Sequence, residues 1–448
     1  MTETRLAALL ERELARFEET HPRSRALAAD ARRSLLGGVP MHWMVRWPGG
    51  FPVFATEASG ARFRDVDGHE YVDFCLGDTG AMAGHSPAPT VHAVAEQAAR
   101  GITLMLPSED ALWVAGELGR RFGLPLWQFA LTATDANRFA VRLARAVTGR
   151  PRILVFDWCY HGTVDETFAT LRGGRVEARA GSLGPPVPLD QTTRVVEWND
   201  AEALEGELGT GDVACVLAEP ALTNVGIVLP EPGFHEALRE ATSRHGTLLI
   251  VDETHTLCAG PGGYTAAHGL EPDVLTIGKA IGGGIPSAAY GFTEELAARV
   301  EAAIPRDESD VGGVGGTLAA NALSLAAMRA TLGEVLTDEA FARMLSLGER
   351  FERGVQAAVD AHSLPWHVAR LGCRVEYLFR PDRPRTGAEA AAGADPLLDR
   401  LVHLYALNRG ILLTPFHNMA LMSPATTEAD VDRHTEVFDE AAAELAAA

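Results

Sequence analysis

One basic residue type is almost absent from this 448-residue chain: of its 39 basic residues, 38 are arginine and one, Lys279, is lysine. Arginine serves wherever a solvated positive charge is enough, but its guanidinium stays protonated and cannot form an imine. A position that keeps lysine against this background points to the chemistry of a primary amine, whose lone pair can attack a carbonyl. Around it, Val274-Leu-Thr-Ile-Gly-Lys-Ala-Ile-Gly-Gly-Gly-Ile-Pro286 runs a short apolar strand into a glycine-rich turn, where backbone can approach a ligand closely. A phosphate P-loop is excluded, because Asp273 stands where its first glycine is required and Ala280 follows the lysine.

A second group lies 279 − 252 = 27 residues upstream, where Leu248-Leu-Ile-Val-Asp-Glu-Thr254 ends an apolar strand in carboxylates. Strand ends in open α/β sheets form ligand crevices. The strand period of two puts Asp252 and Thr254 on one face and Glu253 on the other. Asp252 there can pair with a cationic ring nitrogen, or simply cap a turn. Read on to His255, the stretch imitates the DExH box of helicases. The chain has no Walker A motif, however, and 60 acidic against 39 basic residues leave a net charge of −21, which disfavours a nucleic-acid backbone as partner.

Two further stretches complete the set. Leu131-Thr-Ala-Thr-Asp-Ala136 joins a strand to a helix start, a site for a phosphate or an ordinary N-cap. Cys159-Tyr-His-Gly162 follows another strand and places Tyr160 where it can stack on a flat ring or fill the core. A Schiff-base lysine, a partner for a pyridinium nitrogen, a phosphate cradle and a stacking ring are together the needs of pyridoxal 5'-phosphate (PLP).

The elements that must position these groups are legible as a rhythm. Strands are expected at Gln128 to Thr132, Arg152 to Phe156, Val213 to Ala218, Thr247 to Asp252 and Val274 to Ile277, with helices at Asp135 to Thr148 and Phe234 to His245, the latter stopped by Gly246. Continuous apolar strands with crossovers predict a mostly parallel sheet buried on both faces. Arg62 to Asp73 reads as a hairpin about Asp67-Gly68. Beyond the large domain, helices at Ala319 to Leu332 and Asp338 to Ala361, strands around Cys373 to Phe379 and a helix from Glu428 predict a smaller α+β domain, with Gly387 to Ala394 a mobile loop. The division expected is 1–74, an N-terminal segment; 75–325, the large cofactor domain; and 326–448, the small domain.

With these motifs in place, the chain resembles the class III aminotransferases of PLP fold type I, in particular the branch of glutamate-1-semialdehyde aminomutase and the β-amino-acid aminotransferases. The likeness runs from Gly37-Gly38-Val39 and Asp65-Val-Asp-Gly68 to Thr426 and Asp430-Val-Asp432. It implies that Lys279 takes the internal aldimine and that Asp252 holds the pyridine nitrogen. Thr254 replaces the apolar residue under the ring. Tyr160 and His161 stand in the Tyr-His-Gly motif, and Glu219 and Asn224 in the Glu-Pro and Asn-x-Gly pair, Asn224 on the ring hydroxyl. Thr317 reaches the phosphate across the interface of a homodimer with shared active sites. The phosphate loop departs from the family's pattern, leaving Ala133 and Thr134 as altered phosphate contacts. Where relatives place a carboxylate-binding arginine, this chain reads Pro40-Met-His-Trp-Met44 and Thr414-Pro-Phe-His-Asn418, with Arg46 shifted nearby. His42, Trp43, Phe416 and His417 there suggest a larger or less charged substrate.

The expected activity is amino transfer from a primary amine or amino acid to a carbonyl acceptor, with an intramolecular aminomutase as the alternative. A nicotinamide dehydrogenase lacks its GxGxxG after a strand. Five scattered cysteines without a CxxC pair, no secretory leader at Met1 to Thr20 and no apolar run of membrane-spanning length predict a cytoplasmic enzyme with no metal site and no membrane association.

Overall fold

The computed structural model describes residues 3–184, 186–304 and 313–446. The chain divides into two compact units, one formed by 88–341 with 384–392, the other by 1–87, 342–383 and 393–448.

The first unit is built on a seven-stranded sheet: β1 (Leu126–Ala130), β2 (Arg152–Phe156), β3 (Thr193–Val196), β4 (Val213–Ala218), β5 (Leu248–Asp252), β6 (Val274–Ile277) and β7 (Ala288–Phe292), in the order β1-β7-β6-β5-β4-β2-β3. Only β7 runs against the rest, so the sheet is mostly parallel, as expected. The middle strands are near-continuous Val, Leu and Ile, and every residue of β4, β5 and β6 is buried. Each such side chain withdrawn from water contributes roughly 1.5–3 kcal/mol, which explains why strands without polar alternation lie at the centre. The register sets β5 beside β6 with Ile250 opposite Val274 and Asp252 opposite Thr276.

Of the helices, α1 (Ala133–Thr148) begins two residues earlier than its apolar period suggests, because Thr132 caps it by accepting from the Asp135 amide at 3.2 Å. The strand before it correspondingly ends at Ala130, where pairing with β7 stops. α2 (Phe234–His245) ends at Gly246, whose φ of 60° closes the last turn. The helix expected from Ala319 runs instead over Ala322–Ala330, capped by Asn321, and continues as a π-turn, Thr331–Val335. The stretch expected as a mobile loop forms a short helix, Gly387–Ala391. Thr386 caps it, Arg385 is fixed by two bonds to Glu231, and Gly387 sits so close to the Asp157 carbonyl that a Cβ would lie 2.6 Å from it.

The second unit contains helices Glu3–Thr20 and Glu428–Ala446, the hairpin strands Arg62–Asp65 and Glu70–Asp73 turning at Gly68, and a three-stranded antiparallel sheet of His367–Leu371, Arg374–Leu378 and Met419–Leu421. Among the described residues no helix is long and apolar enough to cross a membrane.

Candidate active site

Lys279 follows β6 directly and opens a short 3₁₀ turn, Lys279–Gly282. Its φ is 52°, the left-handed region that costs a residue with a Cβ roughly 1 kcal/mol. The glycine before it is required by contact: a Cβ on Gly278 would stand 3.1 Å from the Ala133 amide nitrogen, at the first turn of α1. The lysine turn and the helix start expected to take a phosphate are thus pressed together. Thr134, beside Ala133, accepts from the Thr163 amide at 3.0 Å, and a Cβ on Gly162, whose φ is 76°, would collide with the Thr134 side chain. The motif at 160–162 therefore packs on the same helix start.

Asp252 closes β5 and is 3% exposed. Its carboxylate accepts from Asn137 Nδ2 at 2.7 Å and from the Thr254 amide at 3.1 Å, and His161 Nδ1 lies 3.0 Å away. Burial opposes the charge, but the bonds from His161 and Asn137 outweigh it and hold the carboxyl below the usual aspartate range. Burial likewise opposes a charged His161, while Cys159 and Asp252 raise its pKa overall. Asp252 is thereby kept ionised where an uncompensated charge would be costly. Glu253 points the other way, as the period of two requires, and accepts from the Tyr264 amide at 3.1 Å; burial pushes its pKa up.

Two more of the expected residues are tied to the site's walls. Glu219 Oε1 accepts from the Tyr160 amide at 3.2 Å, its other oxygen takes the Thr223 hydroxyl, and burial raises its pKa. Asn224 Nδ2 donates to the Trp158 carbonyl at 3.1 Å. Thr317 is exposed. His42, Trp43, Phe416 and His417 belong to the other unit, where Trp43 and Phe416 meet edge-on at 5.6 Å. His417 Nδ1 there lies 3.6 Å from Glu376, a buried carboxylate that also pairs with buried Arg374 at 2.9 Å.

Asn137 is not among the residues expected from the sequence; it bonds Asp252, the His161 carbonyl and, through Oδ1, Thr276 Oγ1 at 2.6 Å. A signal was available: it is the lone amide on the buried face of α1, among Ala136, Ala140, Val141 and Ala144. His255, which in the sequence only completes a helicase-like string, has its Nε2 2.8 Å from Lys279 Nζ.

A buried carboxylate and an amine thus stand at the ends of neighbouring strands, with a helix N-terminus packed against the amine's turn. The family model for aminotransferase class-III matches residues 44–441, and the chain belongs to that family. It is 34% identical over 447 residues to a glutamate-1-semialdehyde 2,1-aminomutase of Chloroflexus aggregans, covering 95% of this chain and 99% of the relative. A crystal structure described as a glutamate-1-semialdehyde-aminomutase from Pseudomonas aeruginosa PAO1 is 52% identical, with a TM-score of 0.97 and 99% of each chain covered. A β-phenylalanine aminotransferase from Variovorax paradoxus is 27% identical, with a TM-score of 0.86 and 97% of each chain covered.

Proposed function

We propose that this chain is a PLP-dependent aminotransferase that moves an amino group between a primary amine or amino acid and a keto or aldehyde acceptor, with Lys279 as the cofactor-binding amine. The observation that carries this reading is the placement of the chain's one ε-amine and a buried Asp252, bonded by Asn137 and His161, at the ends of neighbouring parallel strands. The residues suit the cofactor in one further respect. Thr254 Oγ1 and His161 Nε2 are buried polar atoms close to Asp252, groups able to face a polar ligand.

When bound, PLP supplies an aldehyde carbon that takes the amino group and a ring that draws off the electrons of the substrate carbon. Ala133 and Thr134 would hold its phosphate at the positive end of α1, with Thr317 of a second subunit reaching in. Tyr160 would flank the ring, Thr254 lie against it, and Asn224 take its hydroxyl, with Glu219 fixing the Tyr160 backbone. Asp252, oriented by His161 and Asn137, would hold a proton on the ring nitrogen. The Lys279 ε-amine, at the end of β6, would take up and return the proton of the substrate carbon, acting as base and then acid. His42, Trp43, Phe416 and His417 are proposed substrate contacts, and the lack of an arginine at those places favours a substrate larger or less charged than an ordinary amino acid.

A homodimer is supported by an apolar cluster on the surface of the sheet-bearing unit, where Leu104, Met105, Leu106 and Leu112 are 51%, 74%, 72% and 79% exposed. Five buried cysteines, none in a disulfide, support a reducing, cytoplasmic setting. The second reading, an intramolecular aminomutase, is favoured by the names of the relatives at 34% and 52% identity.

The test is a screen of amine donors, with and without carboxylates, followed by absorbance near the visible edge and by amination of an added carbonyl acceptor. Net transfer to the acceptor is the expected outcome; turnover that needs no acceptor would replace it with the mutase reading. Lys279→Arg should lose both the absorbance and all turnover, and an active Lys279→Arg protein would overturn either version.

A further inference from the structure

The β5–β6 register places Asp252 opposite Thr276, and beyond the paired strand ends the side chains of His255 and Lys279 meet. His255 Nε2 and Lys279 Nζ are 2.8 Å apart, and both residues are half-buried. His255 sits at the head of a short 3₁₀ turn, Thr256–Ala259, whose next three residues are buried, so its backbone is fixed by packing. The lysine is fixed from its own side by the left-handed backbone at φ 52°. Two anchored main chains thus present their side chains to one another.

We propose that His255 is a positioning residue for Lys279, holding the ε-amine in the direction from which it meets the cofactor's aldehyde. This deepens, and rests on, the reading of Lys279 as the cofactor-binding amine. A lysine side chain has four rotatable bonds, and an amine that must reach one carbon gains rate when those rotations are restricted beforehand. Imidazole suits the task in either protonation state of the amine. An ammonium donates to Nε2 when the ring proton is on Nδ1, and a neutral amine accepts from Nε2–H when it is not. No covalent step is involved; the hydrogen bond gives way when the amine engages the aldehyde and re-forms when the donor amine releases it.

The experiment uses the full-length chain stripped of cofactor, as wild type and as His255→Gln, His255→Ala and His255→Leu. Pyridoxamine phosphate, which binds without a bond to lysine, is titrated into each to report the pocket. PLP is then added and the growth of absorbance near the visible edge is timed to report the amine. All four chains are expected to bind pyridoxamine phosphate alike. His255→Gln, whose amide can bond Nζ at similar reach, should keep the wild-type rate within about threefold, whereas the Ala and Leu chains should be slower by about tenfold or more.

Wild-type rates in the Ala and Leu chains would overturn the proposal, as would a Gln chain as slow as those two. Loss of pyridoxamine phosphate binding in the Ala and Leu chains would also overturn it, by showing that His255 serves the pocket rather than the amine. A wild-type chain that neither binds pyridoxamine phosphate nor develops absorbance would instead refute the reading of Lys279 itself, and this inference with it.

Discussion

A carboxylate 3% exposed stays charged only where its surroundings compensate, and Asp252 has two side chains and a backbone amide arranged to do so. Asp252→Asn keeps the volume but removes the charge proposed to hold a proton on a bound ring nitrogen. Its kcat should fall on the order of 100-fold or more, as when one preorganised electrostatic partner is removed from a catalytic site, and steady-state kinetics with a saturating donor measures the loss. At this scale the sequence was informative where residue type alone carries meaning. A solitary amine and a carboxylate ending an apolar strand declare themselves without a structure. Asn137 and His255 did not, because an amide within a helix and a histidine after a strand acquire their roles from neighbours 115 and 24 residues away in the chain.

Among the elements, the turn after β2 and the first turn of α1 interlock through a glycine, since Gly162 has a φ of 76° and no room for a Cβ beside Thr134. Gly162→Ala therefore meets both backbone strain and a clash. It should lower stability by roughly 1–3 kcal/mol and weaken cofactor binding together, seen as a reduced thermal midpoint and a raised Kd for pyridoxamine phosphate. Of the seven central strands, β3 (Thr193–Val196) and β7 (Ala288–Phe292) are not among those expected, while the other five are legible as short runs. Their ends were less so: Thr132, which continues the apolar pattern of β1 in the sequence, is taken by α1 as its cap. The helix at Gly387–Ala391 was missed because its alanines and glycines look loop-like until Thr386 caps it and Arg385 is fastened to Glu231.

For the whole molecule, acid should be the weak side. His434 is fully buried against Phe351, with ring centroids 4.1 Å apart, and burial lowers its pKa to about 3. The unfolded chain takes up that proton near pH 6.5 and the folded chain does not, so stability is lost as pH falls below 6.5. At pH 5 this one group costs about 2 kcal/mol, and His434→Phe should flatten the fall in urea midpoint between pH 7 and pH 5 relative to wild type. The exposed cluster at Leu104 to Leu106 makes a different global prediction. If the proposed dimer forms through this face, Met105→Asp with Leu106→Asp should shift it to monomer in sedimentation, and no change in mass would refute that interface.

The half-buried seat of Lys279 between buried Gly278 and Ala280 also makes the molecule its own reporter of unfolding. A protease that cuts only after lysine has one target in the entire chain, on the rim of the central sheet, and cleavage there yields two pieces, 1–279 and 280–448. Digestion must await an opening of the sheet, so the rate at which that pair of bands appears on a gel reads how often the core lets go.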